Sequence, residues 1–385
     1  MTTIKREQIL AFRLERAHLF QALPLSSLVE AAEAGIQLSQ PGTLETALGI
    51  RVKGFTTEAL ETALRKKKTL VEVPGIRGAG HVVPKDDVGL FTRATFPTDE
   101  KNLQRLLGTP SKNLRAKKIP ASTIIQTVSD AAMKALDGKA LTQDEIHAEW
   151  RKRLPKEYLN FCRGCDSFHV PYTTVAAVGL QGTVFCYGPI KDGNSAFVRT
   201  DQWLGKNAVE TDLEKLRIDL VKRFLRYYGP STPKAFSVWS DLSVAEAKEF
   251  FTIAADELTQ VETDAGPAWL NKKDLPLIQS AQLKKGILML AAKDPILNMP
   301  DREILAEDKK VYPLIWRVLA NPGVFLIDGE LAGIWKALKK GKRLEYTIQA
   351  FGKLPKQTQA KIEEEASRIA AFRDCTETKT RWGKC

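Results

Sequence analysis

The apolar positions at the start of the chain recur at helical spacing. Between Lys5 and Leu23 they fall at Ile9, Leu10, Phe12, Leu14, Phe20 and Leu23, which predicts a helix. Pro24 and the Ser26-Ser27 pair end it and start a second, Leu28 to Ala34; Thr43 to Val52 is a third. Phe55-Thr56-Thr57-Glu58 opens a fourth, since the Thr56 hydroxyl can accept from the backbone amides ahead of it. That helix runs into Lys66-Lys67-Lys68. The pattern then alternates from Val71 to Val83, with Gly75, Gly78 and Gly80 inside it, and predicts a β-hairpin before Lys85-Asp86-Asp87-Val88 begins another helix.

The same succession returns twice. Leu141-Thr142-Gln143-Asp144-Glu145 caps a helix, Thr173 to Gln181 follows, and a hairpin spans Thr183 to Thr200, turning through Lys191-Asp192-Gly193-Asn194, residues that tolerate positive φ. Asp201-Gln202-Trp203-Leu204 restarts a helix. Farther on, Pro230-Ser231-Thr232-Pro233-Lys234 caps a helix, Leu242 to Phe251 follows with Ser243 as cap, and Leu258 to Asn271 forms a hairpin turning at Asp264-Ala265-Gly266. Helix, helix, hairpin is the layout of a winged helix, whose second helix can enter a DNA groove while the hairpin touches backbone. Three copies point to a tandem array. From Ala281 the pattern changes to short alternating segments, Gly286 to Leu290, Val324 to Ile327, Ala332 to Trp335 and Arg343 to Ile348, separated by tight turns at Asn321-Pro322-Gly323 and Asp328-Gly329: a small antiparallel sheet or barrel. Gln357 to Phe372 closes the chain as an amphipathic helix with Ile362, Ala366, Ile369 and Ala370 on one face, and the polar tail Arg373 to Cys385 is expected to be loose. The expected fold is α+β, with domains at 1–95, 96–208, 209–280 and 281–385.

Charge gives this layout a partner. The 385 residues carry a formal net charge of +12, which favours a polyanion and above all nucleic acid. No apolar run reaches the ~18 residues of a transmembrane helix, and the MTTIKREQIL start lacks the apolar core of a signal peptide. Five scattered cysteines suit a reducing cytoplasm better than a disulfide framework. No Walker A loop, dinucleotide fingerprint, zincin motif or nucleophile elbow is present. Trp203, Trp239, Trp316 and Trp335 form no base-stacking array, and core packing suits most of them better.

Two segments stand out chemically: Gly35-Ile36-Gln37-Leu38-Ser39-Gln40-Pro41, where neutral polar groups interrupt a helical region, and Arg77-Gly78-Ala79-Gly80-His81 on the first hairpin. A polar interhelical turn, with Gly35 as C-cap and Pro41 as stop signal, also accounts for the first. Arg51, Lys53, Lys66, Lys67, Lys68 and Arg77 are candidate phosphate contacts. The lysine triplet can equally be a solvated helix end. His81 can bond a phosphate, or tie the hairpin to the helix behind it. Cys162-Arg163-Gly164-Cys165 with His169 could be part of a zinc site, with His147 and Cys186 as distant candidates for a fourth ligand. A loop at the edge of the second module is preferred, so no metal and no cofactor are expected.

Taken in order, these pieces resemble a known family: the bacterial winged-helix DNA glycosylases of the AlkZ type, which include the YcaQ-like enzymes. The resemblance covers nearly the whole chain. It rests on Gly35 to Arg51, on Thr69-Leu70-Val71 through Arg77-Gly78-Ala79-Gly80-His81, and on Tyr228-Gly229-Pro230-Ser231-Thr232 with Trp239-Ser240. It extends to Asp294-Pro295, Asn321-Pro322-Gly323-Val324, Asp328-Gly329 and Gly333-Ile334-Trp335. It implies three winged helices and a small β-barrel in a C-shaped monomer around double-stranded DNA. It also implies hydrolysis of the N-glycosidic bond of alkylated or bulky-adducted purines (N7-guanine, N3-adenine). The family motif, Gln-apolar-Gln or Gln-apolar-Asp, falls on Gln37-Leu38-Ser39; the count to Arg51 places Ser39, and not Gln40, at the second catalytic position. N-alkylation activates the base as a leaving group, so what remains is to hold a water and stabilise an oxocarbenium-like transition state. A Gln oxygen can accept from that water; Ser39 brings no charge. The absence of a lysine from this segment speaks against a Schiff-base lyase. The alternative is a non-catalytic winged-helix DNA-binding protein, a lesion sensor or transcriptional regulator.

Overall fold

The computed structural model describes residues 3–109, 114 and 117–385, so Met1 and Thr2, which open the stretch read for a leader, lie outside it. The chain forms two compact units, one of residues Met1–Glu61 and Val221–Cys385, the other of Thr62–Leu220.

In the second unit the first hairpin is Leu70–Pro74 with Gly80–Pro84, and the second is Phe185–Lys191 with Asn194–Arg199. Asp192 and Gly193 make the tight turn of the latter at φ 52° and 79°, the left-handed pair a two-residue hairpin loop needs. The two hairpins, expected in separate modules, join through an antiparallel pairing of Glu72 with Tyr187 into one sheet. Arg65 secures the junction: its guanidinium donates to the Gly188 carbonyl and to Ser195 Oγ (2.9 Å), whose hydroxyl donates to Glu72 at 2.6 Å. Helices Ala121–Ala135, Gln143–Arg153 and Tyr172–Leu180 build the core beside this sheet with Ile124, Val128, Trp150, Val178 and Phe185. Thr142 caps the second of these in a reciprocal box with Glu145, as its sequence predicts. The helix Ala121–Ala135 is absent from the pattern reading. Its buried positions Ile124, Ile125, Val128, Ala132 and Ala135 nevertheless have helical spacing, and the Glu100 carboxylate accepts from the Ala121 and Ser122 amides at its start.

In the first unit, Arg6–Arg16 is shorter than the predicted helix; the chain leaves helical geometry at His18, φ 56°. Thr43–Gly49 likewise stops early, and its continuation Val52–Lys53 pairs parallel with Leu23–Pro24. The helix Leu213–Tyr228, also missing from the pattern reading, belongs to this unit from Val221 onward and leads into Pro233–Ser240, capped by Thr232, and Val244–Ile253, capped by Ser243. Phe224, Phe236, Trp239, Phe250 and Phe251 form an aromatic core among them, and the hairpin Leu258–Thr263 with Gly266–Asn271 follows.

The C-terminal strands correct the expectation of a barrel. Ile287–Leu290, Gly323–Ile327, Glu330–Lys340 and Arg343–Ala350 pair in order as antiparallel neighbours, and a fifth strand, Glu377–Trp382, adds in parallel to the last; the first and fifth strands remain the two edges. Closure is not needed to bury the apolar face, because helix Lys356–Phe372 covers it with Ile362, Ala366, Ile369 and Ala370, and Tyr346 Oη donates to the Ala366 carbonyl at 2.8 Å. The tail expected to be loose is therefore the edge of a sheet. Its polar composition suits an edge strand, whose outward faces meet water, while Arg373 and Cys375 at its root are buried.

Gly333 shows how closely these strands pack: a Cβ there would lie 2.3 Å from the Phe325 ring and 2.4 Å from the Gln349 carbonyl. Gly333→Ala should lower unfolding stability by about 1–3 kcal/mol, the usual cost of an overfilled core, read from urea unfolding followed by tryptophan fluorescence.

Candidate active site

Gly35, at φ 72°, lets the chain turn out of the short helix Leu28–Ala31. Ile36 then anchors the segment in the core with no exposed surface, and Gln37 follows, half-buried. The Gln37 amide is oriented from outside the motif: Asn298 Nδ2 donates to Gln37 Oε1 at 3.3 Å. Asn298 ends the 3-10 turn Pro295–Asn298, which Asp294 caps by accepting from the Ile296 amide at 3.1 Å. Three more hydrogen bonds hold this turn: Tyr228 Oη to the Pro295 carbonyl (2.9 Å), Trp316 Nε1 to the Leu297 carbonyl (2.8 Å) and a longer one from Asn298 Nδ2 to the Lys293 carbonyl just before it.

Asp294 has a second role. Both its oxygens accept from the Arg51 guanidinium at 2.8 Å, and the two side chains are at most 1% exposed. Arg51 also donates to the Ala47 carbonyl at 2.8 Å, inside its own helical turn. This corrects the assignment of Arg51 to phosphate binding: its charge is buried and its fork is occupied by a carboxylate. Breaking a buried pair leaves an uncompensated charge, so the arginine is a strut between the segment after Gln37 and the turn that bears Asn298.

Ser39 and Gln40 are exposed. Gln40 Nε2 donates to the Asn321 carbonyl at 2.7 Å, and Asn321 Oδ1 accepts from the Arg317 amide at 2.8 Å. The Gln40 side chain thus ties the loop to the Asn321 turn. Pro41 is held from the far side, its carbonyl accepting from Arg373 Nη2 at 3.0 Å. The Phe372 ring lies under Gly49 and edge-on to Phe55 at 5.9 Å. Lys53 is exposed.

The remaining candidates belong to the second unit. Lys66 and Lys67 are exposed, whereas Lys68 is engaged: its Nζ donates to the Trp203 carbonyl at 2.9 Å and sits 3.8 Å from the Trp203 ring centroid. That cation–π contact corrects the reading of Lys68 as a phosphate ligand. Arg77 is exposed at φ 62°, followed by Gly78 at φ 67°. An arginine held in left-handed backbone costs on the order of 1 kcal/mol or more, and such strain collects at functional positions. His81 is the third correction. It is buried, its Nδ1–H donates to the Ala79 carbonyl at 2.9 Å, and its ring faces Phe91 at 6.1 Å. Burial, aided by the charge of Arg77, lowers its pKa to about 4 against the pull of the Ala79 hydrogen bond. A neutral imidazole turned inward ties the hairpin to the helix behind it.

The model of the AlkZ-like DNA glycosylases matches residues 31–372. The chain belongs to the AlkZ-like DNA glycosylase family. A protein of Streptomyces sahachiroi described as an interstrand DNA cross-link repair glycosylase is 21% identical to this AlkZ-like chain over 377 residues, covering 94% of it and 95% of the relative. The solved structure of Streptomyces sahachiroi DNA glycosylase AlkZ superposes with a TM-score of 0.78 at 18% identity, over 99% of this chain and 100% of that one, and so shows the same fold. Family membership makes DNA the macromolecule this AlkZ-like protein acts on. Among the described residues no helix is long and apolar enough to cross a membrane.

Asn298 is the site residue that the sequence reading missed. The signal was an amide interrupting the apolar run Pro295-Ile296-Leu297-Asn298-Met299, four residues after a motif aspartate.

Arg51→Ala or Asp294→Ala should each cost about 3–5 kcal/mol of stability, with the double variant costing less than the sum; chemical denaturation of the three variants measures this. For His81, the folded-state pKa of about 4 lies below the ordinary 6.5, so the unfolded chain binds the extra proton between those values and the contribution is lost as pH falls through that window. The wild type should lose more stability than His81→Gln between pH 6.5 and 4, measured by thermal unfolding across that range.

Proposed function

We propose that this protein is a monofunctional DNA glycosylase that hydrolyses the N-glycosidic bond of alkylated or bulky-adducted purines, N7-substituted guanine and N3-substituted adenine, in double-stranded DNA. The observation that carries the proposal is the held amide of Gln37. Its oxygen is presented by Asn298 from a turn locked by the Arg51–Asp294 pair. Positioning of this kind can supply several kcal/mol of a hydrolytic barrier. In the reaction, the Gln37 Oε1 and the Ser39 hydroxyl oxygen accept from the attacking water, whose proton is released to solvent as its oxygen bonds to the sugar. The cationic purine leaves without a general acid, because alkylation has already placed positive charge on the base. Ser39 carries no charge to stabilise the sugar cation, so the chemistry is slower than with a carboxylate there.

The three helix–helix–hairpin segments, within 1–95, 96–208 and 209–280, act in this proposal as winged helices of a monomer that holds the duplex through backbone contacts. Lys53, Lys66, Lys67 and Arg77, exposed cations in the sequence-flagged segments, supply salt-sensitive phosphate contacts. The cross-link relative makes bulky adducts the first substrates to try. The uncharged Ser39 favours one second reading: a lesion-binding protein without base release.

The deciding experiment is base release from a duplex carrying a single N7-alkylguanine or N3-alkyladenine. Gln37→Ala should slow single-turnover release roughly 100-fold, about 2.7 kcal/mol of barrier, with DNA binding retained. Ser39→Asp should raise it roughly 10-fold, about 1.4 kcal/mol. Wild-type binding without any release, on simple and bulky adducts alike, would establish the second reading.

A further inference from the structure

The segment bearing Cys162, Cys165 and His169 is expected from sequence to be a loop at the edge of the second module. It is a two-stranded hairpin, Asn160–Cys162 paired with Ser167–His169, whose turn carries Cys165 and reverses at Asp166, φ 48°. The pairing of Asn160 with His169 brings the histidine back beside the Cys-x-x-Cys turn. As a result, the thiols of Cys162 and Cys165 and a ring nitrogen of His169 all lie within 4.8 Å of one another, and the two sulfurs are 3.1 Å apart. The sulfurs are well beyond the ~2.05 Å of a disulfide. A tetrahedral ion bonded at ~2.3 Å to sulfur and ~2.0–2.1 Å to nitrogen needs donors roughly 3.3–3.8 Å apart, within small side-chain movements of the arrangement present.

The second observation comes from a different element. Helix Gln143–Arg153 passes behind the hairpin, with Arg151 donating to the Phe168 carbonyl at 3.0 Å. It presents His147, 7% exposed, whose ring meets that of His169 edge to face at 4.6 Å. His147 Nδ1 and His169 Nε2 are both buried and have no hydrogen-bond partner. Buried polar atoms are paired in the great majority of cases, and these two imidazole nitrogens, on rings in contact with each other, both leave that requirement unmet. A Lewis-acidic ion meets all of it at once.

We propose that Cys162, Cys165, His169 and His147 bind one zinc ion, and that the ion clamps the 160–169 hairpin onto helix Gln143–Arg153. Two thiolates and two neutral imidazoles are a common structural zinc set, closed to solvent chemistry. The ion displaces the thiol protons on binding and undergoes no redox change. It stands apart from the hydrolytic proposal, which needs no metal, and does not depend on it.

The test uses the full-length protein, expressed with zinc in the medium and desalted. Elemental analysis should give about one zinc per chain for the wild type and for Cys385→Ser, and close to none for Cys162→Ser/Cys165→Ser. Cobalt(II) added to chelator-stripped protein that still shows its native circular dichroism should give the intense visible bands of a tetrahedral site with thiolate charge transfer. His147→Ala should weaken cobalt affinity by more than the roughly 10- to 100-fold typical of an outer-shell partner. Wild-type protein with less than about a tenth of an equivalent of zinc and no tetrahedral cobalt spectrum would overturn the proposal, as would a Cys162–Cys165 disulfide found by mass spectrometry in freshly isolated protein. The wild-type measurements decide the matter even if a variant fails to fold.

Discussion

The buried pairing of Arg51 with Asp294 is the constraint on which the candidate site rests. A guanidinium and a carboxylate removed from water at 2.8 Å are tolerated only because each satisfies the other and both have further partners, the Ala47 carbonyl for one and the Ile296 amide for the other. Since the pair allows so little latitude, the turn from Pro295 to Asn298 has one position relative to the segment that follows Gln37. The amide of Asn298 reaches Gln37 as a consequence. Specificity of geometry, more than net stability, is what such an ion pair provides.

Much of the architecture could be read directly from residue patterns, and the reasons are local. Thr142, Thr232 and Ser243 cap their helices because a hydroxyl at that position meets an otherwise unpaired amide, and Asp192-Gly193 turns a hairpin because both residues accept positive φ. What could not be read depends on partners distant in sequence. Arg51 looks like any basic residue near a loop until Asp294, 243 residues away, is placed beside it. Lys68 looks like a phosphate ligand until Trp203 offers its ring. The barrel fails to close because a helix covers the sheet, and no strand pattern reports that. The polar tail was misjudged for a related reason: an edge strand exposed on its outer face has the composition of a disordered one.

The site residues divide along the same line. Gln37 and Ser39 were flagged because polar groups interrupt an apolar region, and the family resemblance then assigned them roles. Asn298 went unnoticed because its neighbours Leu297 and Met299 are buried and a single amide among them reads as incidental. A polar residue in an otherwise buried turn is better taken as a question about which distant group it meets.

The first unit is assembled from two stretches of chain, 1–61 and 221–385, with the whole second unit between them. During synthesis the Gln37 segment therefore leaves the ribosome long before Asp294 and Asn298 exist. Until they arrive, Arg51 has no buried partner, and loop closure over more than two hundred residues must precede its burial. The second unit, contiguous in sequence, can fold while it waits. The Gln37 segment is thus among the first parts made and among the last to be completed, because its contact with Asn298 forms only once the end of the chain has arrived.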